Sequence, residues 1–121
     1  MGIQQYRINS GPIATGGTAT AISRFMKGEI LSVEINYPAN SCTVDLDSQE
    51  AVVQKVIDLA ADNTDKVVYP TTSAQDNTGS AVSYDGTNAI KVPFVVHGRV
   101  KLSIASGTEN DEVIVFINIR T

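Results

Sequence analysis

Residues Gly98–Thr121 read GRVKLSIASGTENDEVIVFINIRT, and their alternation decides the fold. Val100, Leu102 and Ile104 alternate with Lys101 and Ser103, the period of two that marks a half-buried strand. SGTEND supplies turn residues. Beyond it Val113, Val115, Ile117 and Ile119 share one face, while Ile114 and Phe116 share the other. Two such runs about a short polar segment predict an antiparallel hairpin. The last strand is apolar on both faces over its first half. An open sheet face is ordinarily polar. Either a loop covers part of a central strand, or a second subunit buries the face.

The same pattern runs outward through the chain. Its 121 residues hold 26 Val plus Ile against four Leu, with eleven Thr besides. Branching at Cβ stiffens the first side-chain torsion and suits a pleated sheet better than a helix. Runs of these residues alternate with Gly, Pro, Asn, Asp and Ser clusters. Expected strands are Ile3 to Asn9, Thr18 to Phe25, Glu29 to Tyr37, Ser41 to Asp47, Lys66 to Pro70, Ala89 to Val96, Gly98 to Ala105 and Asp111 to Arg120. Met26 to Gly28 is read as a turn. Glu50 to Asp62 is ambiguous: Val52, Val53, Val56, Ile57, Leu59 and Ala60 fit helical spacing, but Val and Ile are poor helix formers, which favours a strand. The fold class expected is all-β, a single β-sandwich or jelly-roll-like domain of short antiparallel strands over 1–121. A Gly/Thr-rich N-terminal arm covers about 1–20, and a polar excursion covers about 71–89. In that excursion Asp85-Gly86 offers a hairpin turn between Val82 and Ile90.

Composition narrows the function classes. Hydrophobic content of 42% and charged content of 18% suit a globular domain rather than a disordered tail. No apolar run approaches the roughly 20 residues of a membrane helix, so no membrane partner is expected. Residues 1–20 lack a basic start followed by an apolar block, so no signal peptide is expected. A formal charge of −4 argues against nucleic acid as a partner, because phosphate backbones call for a basic surface.

Chemistry-bearing residues are sparse. The single cysteine, Cys42, alternates with Val44 and Leu46 and reads as a buried, inert thiol. The single histidine, His97, has no cysteine near it and cannot build a zinc site alone. Neither a nucleophile motif nor a phosphate-binding glycine motif occurs. DLDSQE and DLAADNTD gather carboxylates without calcium-loop spacing. An enzyme is therefore not expected, nor any cofactor or metal.

Four segments carry a family resemblance: IQQYRINSGPIATGGTATA (Ile3–Ala21), GEILSVEINYPA (Gly28–Ala39), TDKVVYPTTSAQDNTGSAV (Thr64–Val82) and VPFVVHGRVKLSIASGTENDEVIVFINIR (Val92–Arg120). Together they resemble the small decoration proteins, also called cement or auxiliary head proteins, of tailed phages. The likeness spans nearly the whole chain through low-information patterns. It implies a non-enzymatic virion protein on the capsid surface, made in the host cytoplasm. Its implied partners are the major capsid protein and itself, as a homotrimer. Position and residue type then nominate Tyr6 and Arg7 for contacts to the shell. They nominate Tyr69, Phe94 and Phe116 for packing or subunit contact. Two other readings use the same β framework: a tail-fibre or baseplate domain, and a carbohydrate-binding module built on Tyr69, Tyr84 and nearby carboxylates.

Overall fold

The computed structural model describes residues 2–121 and contains eleven strands and, among the described residues, no helix. They are β1 (Ile3–Asn9), β2 (Ala19–Ile22), β3 (Met26–Asn36), β4 (Cys42–Ser48), β5 (Lys55–Asp62), β6 (Lys66–Val68), β7 (Thr71–Ser73), β8 (Lys91–Pro93), β9 (Val95–Gly98), β10 (Val100–Ala105) and β11 (Ile114–Arg120). One sheet has the order β1-β11-β3-β6, with β9 also on β3; the second has the order β2-β10-β4-β5. Strands β1 and β11, β2 and β10, β3 and β6, and β4 and β5 form antiparallel ladders. These nested pairs form a long hairpin ribbon wrapped into two facing sheets. That is a jelly roll, the double-Greek-key form of the β-sandwich.

Alternation explains why these segments become strands. In β4, Cys42, Val44, Leu46 and Ser48 are buried while Thr43, Asp45 and Asp47 between them are half-exposed. In β11, Val115, Ile117 and Ile119 point inward beside Val33 and Ile30 of β3 and face Leu102 and Ile104 of β10 across the core. Burying one such isoleucine contributes about 2 kcal/mol. Segment 50–62 resolves as a short loop and a strand, β5, so the helical spacing misleads. Val52 and Val53, at its supposed apolar face, are 75% and 62% exposed.

Three strand boundaries correct the sequence reading. Met26 to Gly28 is strand, not turn: β3 runs on through them and pairs with β9. Gly28 allows this at φ +139, because a Cβ there would lie 2.3 Å from the carbonyl oxygen of Arg120. Residues 111–113 precede the last strand rather than belonging to it. The run from Ala89 to Val96 breaks at Phe94 into β8 and β9.

The loops at one end of the sandwich interlock. Ile13 is buried there, and its N–H and carbonyl bond Asp111 and Asn110 at 2.8 and 2.9 Å. Gly107 donates to Gly17 at 3.0 Å, and Asp65 accepts from the Tyr37 N–H at 2.8 Å. Burial beside Asp62 and Cys42 pushes the Tyr37 phenol up to about 12, and burial beside Asp111 also raises the Cys42 thiol.

Candidate interaction surface

The outer face of the β1-β11-β3-β6 sheet combines apolar and amide groups. Cross-strand register sets it. Arg7 stands opposite Phe116, Gln5 opposite Asn118, and Ile3 opposite Arg120. On the other side of β11, Phe116 faces Glu34 and Asn118 faces Ser32. Gln5 Nε2 donates to Asn118 Oδ1 at 3.0 Å and to Glu34 Oε2 at 3.2 Å. Asn118 Nδ2 donates to Ser32 Oγ at 2.9 Å and to Glu34 Oε2 at 3.0 Å. Three strands are thus tied across one face by a single amide–carboxylate network. Satisfying these groups internally lets them approach a partner without leaving an orphaned donor.

Apolar groups flank the network. Ile114 and Phe116 are half-buried by their neighbours on the sheet, and Val67 and Ile3 are 49% and 68% exposed. Phe116 lines a shallow concavity of about 220 Å³ with Glu34, Ile35, Asn36, Asp65, Lys66 and Val67. The doubly apolar last strand is therefore a central one, flanked at its outer face by Asp65 of the β5–β6 turn.

The sequence-nominated residues separate. Arg7 and Phe116 meet as a cross-strand pair on this face. Tyr6 lies on the opposite side of β1, where its ring sits beneath the Arg24 guanidinium at 5.3 Å and its hydroxyl donates to Gln4 Oε1 at 2.6 Å. Tyr69 is 71% exposed at the neck of the excursion. Phe94 packs against the core, and its carbonyl accepts from Ile30 N at 2.8 Å. Sequence reasoning missed Gln5, Ser32, Glu34 and Asn118. The available signal was alternation: each is the polar member of a strand whose other face is buried.

The excursion is a knob inserted within one strand. β6 pairs with Val33–Ile35 of β3, and β9 pairs with Met26–Glu29 of the same strand. The two are in line, and the chain leaves between them and returns with Thr71 paired to Pro93. The knob holds three chain passes rather than one hairpin. Ala74 N donates to Ile90 O at 2.8 Å, Ile90 N to Val82 O at 2.9 Å, and Val82 N to Ala74 O at 2.9 Å. This closed ring has an eight-residue spacing, and the bridges Gln75↔Ala81 and Ser83↔Ala89 repeat at the same interval. Asp76 accepts from Thr78 Oγ1, Thr78 N and Ser80 N, which holds its carboxyl below the usual range. Asp85 is lowered likewise by the Asn88 and Thr87 N–H groups and the Asn88 amide.

The opposite outer face, on the β2-β10-β4-β5 sheet, is charged. Lys55 Nζ lies 3.3 Å from Asp47 and 3.6 Å from Asp45. Asp45 stands opposite Asp58, and burial together with that neighbour raises its carboxyl. Among the described residues, no group of three or more His, Cys, Asp or Glu side chains is placed to hold a metal ion.

No family model matches the chain, and no curated protein matches it. Distant likenesses to solved structures exist. An F5/8 type C domain from Bacteroides fragilis aligns at 7% identity and TM-score 0.41, over 93% of this chain and 72% of that one. The structure of infectious bursal disease virus, Gx strain, aligns at 9% identity and TM-score 0.35, over 99% of this chain and 38% of that one. A virus-like particle of Macrobrachium rosenbergii extra small virus aligns at 10% identity and TM-score 0.26, over 98% of this chain and 79% of that one. Likenesses this weak carry no argument about function; the sandwich rests on its own strand pairing.

Proposed function

We propose that this is a non-enzymatic virion structural protein that decorates a phage capsid and stabilises it by binding the outer surface of the shell. The observation that carries this reading is the outer face of the β1-β11-β3-β6 sheet. Phe116, Ile114, Val67 and Ile3 offer apolar area there, and the Gln5–Asn118–Glu34–Ser32 network is already satisfied. A patch of this kind works through area and shape, with an aromatic anchor near its centre and a polar rim. Arg7 beside Phe116 and Arg120 beside Glu29 supply that rim. The major capsid protein is the proposed partner. Self-association as a trimer, the state the family resemblance implies, would use part of the same face.

Co-sedimentation of the purified protein with empty phage shells tests the reading, alongside light scattering of the protein alone. Saturable binding that is lost in Phe116→Glu supports it. Failure of the native protein to sediment with any shell, or binding indifferent to that substitution, overturns it.

A further inference from the structure

The Phe116 concavity leaves negative charge uncompensated within the proposed docking face. Glu34 and Asp65 line it together with Phe116 and Val67. Glu34 Oε2 accepts from Gln5 and Asn118 at 3.2 and 3.0 Å, and both donors are neutral amides. Asp65 accepts the Tyr37 N–H at 2.8 Å, again a neutral donor. The hydrogen bonds are satisfied while the two charges remain. Neither carboxylate forms an ion pair among the described residues. Lys66 also lines the concavity, but its ammonium is taken by Asp62 of β5 and lies over the Tyr37 ring. Arg7 stands beside Phe116 on the β1 side of β11, away from the concavity on the β3 side, and is not part of the lining.

Covering the face turns those charges into a constraint on the partner. A carboxylate stripped of water without a counter-charge is strongly destabilising. A partner that docks here must therefore bring a cation to this place. The adjoining end of the sandwich reinforces the demand. Its connections, 10–18, 37–41, 63–65 and 106–113, carry Asp65, Glu109, Asp111 and Glu112 and no Lys or Arg. The field there attracts positive charge. The Phe116 ring selects the kind of cation. A guanidinium is planar, stacks on an aromatic face and reaches two carboxylates through separate N–H groups, which a compact ammonium does less well. Size agrees: about 220 Å³ is below the range of small-ligand sites and suits one long side chain. We propose that this concavity receives an arginine side chain of the shell protein, stacked on Phe116 and paired with Glu34 and Asp65. The inference rests on the docking reading and adds to it the chemistry of the partner.

The test is a chemical-shift titration of the ¹⁵N-labelled protein with N-acetyl-argininamide and, in parallel, its uncharged isostere N-acetyl-citrullinamide. The expected result is saturable shifts centred on the amides of Glu34, Asn36, Asp65, Val67 and Phe116, with the arginine probe bound about tenfold more tightly. Asp65→Asn and Glu34→Gln each keep an acceptor oxygen and remove a charge, so each narrows that preference. Phe116→Leu keeps apolar bulk without the ring and weakens the arginine probe. Thermal melts confirm that each variant is folded. No shifts at these amides, or equal affinity for the two probes, overturns the proposal. Co-sedimentation separates it from the docking reading. Asp65→Asn should weaken shell binding and flatten its salt dependence. Shell binding that is lost in Phe116→Glu yet indifferent to Asp65→Asn and Glu34→Gln keeps the docking face and overturns the arginine. A native protein that takes the arginine probe but sediments with no shell overturns the docking reading, and with it the shell as the source of the arginine.

Discussion

The two outer faces of the sandwich are built on the same alternation and end in opposite chemistry. On the β2-β10-β4-β5 sheet the outward positions include Thr43, Asp45, Asp47, Lys55, Asp58, Lys101 and Ser103, a largely charged surface with one exposed apolar residue, Ile22, at the β2 edge. On the β1-β11-β3-β6 sheet they are Ile3, Gln5, Arg7, Ile114, Phe116, Asn118 and Glu34. Desolvating the first face would strip water from three carboxylates and two lysines, Lys55 and Lys101. Desolvating the second removes water from apolar carbon, from amides that already have partners, and from two charges, Arg7 and Glu34, of which the Glu34 carboxylate already accepts from Gln5 and Asn118. Charge is costly to bury and satisfied amides are much less so. The difference makes the β1-β11-β3-β6 face the less costly of the two to desolvate, which is why the proposed docking role falls there.

Phe116→Glu probes the contrast most severely. It puts a carboxylate at the centre of the proposed contact while the inward residues of β11 stay in place. Shell binding should weaken roughly thirtyfold or more, the scale of a central aromatic hot spot. Lys101→Gln on the other face is the control and should change shell binding by less than about 0.5 kcal/mol. Equal losses in both variants would mean that the faces do not differ in function.

The knob supplies the next test, because it hangs from the edge of the same sheet. Excising residues 71–93 and joining Pro70 to Phe94 merges β6 and β9 into one strand along β3. The jelly roll should remain folded, since Thr71 and Pro93 are already paired neighbours. Shell binding should fall by less than about tenfold if the face dominates. A complete loss in a folded variant would move the docking role to the knob.

Much of this architecture was legible in the sequence, and the reason is physical. Side-chain alternation reports which face is buried, so the strands of residues 100–105 and 114–120 and the all-β class could be read directly. Branched Val56 and Ile57 leaned toward a strand without settling residues 50–62, which the fold resolves as β5. Register is less local. That Arg7 meets Phe116 depends on where β1 enters the sheet, and no nearby residue encodes it. Tyr6, one position earlier, faces the other way for the same reason. The ring through Ala74, Val82 and Ile90 uses only backbone groups, so composition carried no trace of it beyond the turn residues at Asp76 and Asp85. Phe25 and His97 meet edge to face with centroids 5.1 Å apart, a proximity that only the wrapped ribbon creates.

Asn118→Ala asks whether the amide network stabilises the docking face or merely decorates it. The substitution deprives Gln5 of an acceptor and Ser32 and Glu34 of a donor. A stability loss of about 1 kcal/mol is expected, a few degrees in melting temperature. The equivalent truncation on the charged face, Ser103→Ala, should have a smaller effect, because no side-chain network there ties three strands together.

The smallest effects concern protons, and here the charged face and the knob should respond with opposite sign. Burial and then Asp58 raise the Asp45 carboxyl, so the folded state holds that proton more tightly than the unfolded chain. Between the ordinary carboxylate value and the raised one, the native protein binds more protons than the unfolded chain. Stability therefore falls as pH rises through that window and stays reduced above it. Asp45→Asn should raise the melting temperature at pH 7, with the gain shrinking on acidification. Asp76 is shifted the other way, by the Thr78 hydroxyl and then the Thr78 and Ser80 N–H groups. Its contribution is present above the ordinary carboxylate value and is lost as pH falls through the depressed one. Asp76→Asn should therefore speed hydrogen exchange at the Thr78 and Ser80 amides near neutral pH, and native and variant should converge in strong acid. If Asp45→Asn instead lowers the melting temperature at pH 7, the attraction of Lys55 outweighs burial and the Asp58 repulsion. The charged face would then be a stabilising ion cluster, and its exclusion from contact would rest on desolvation alone.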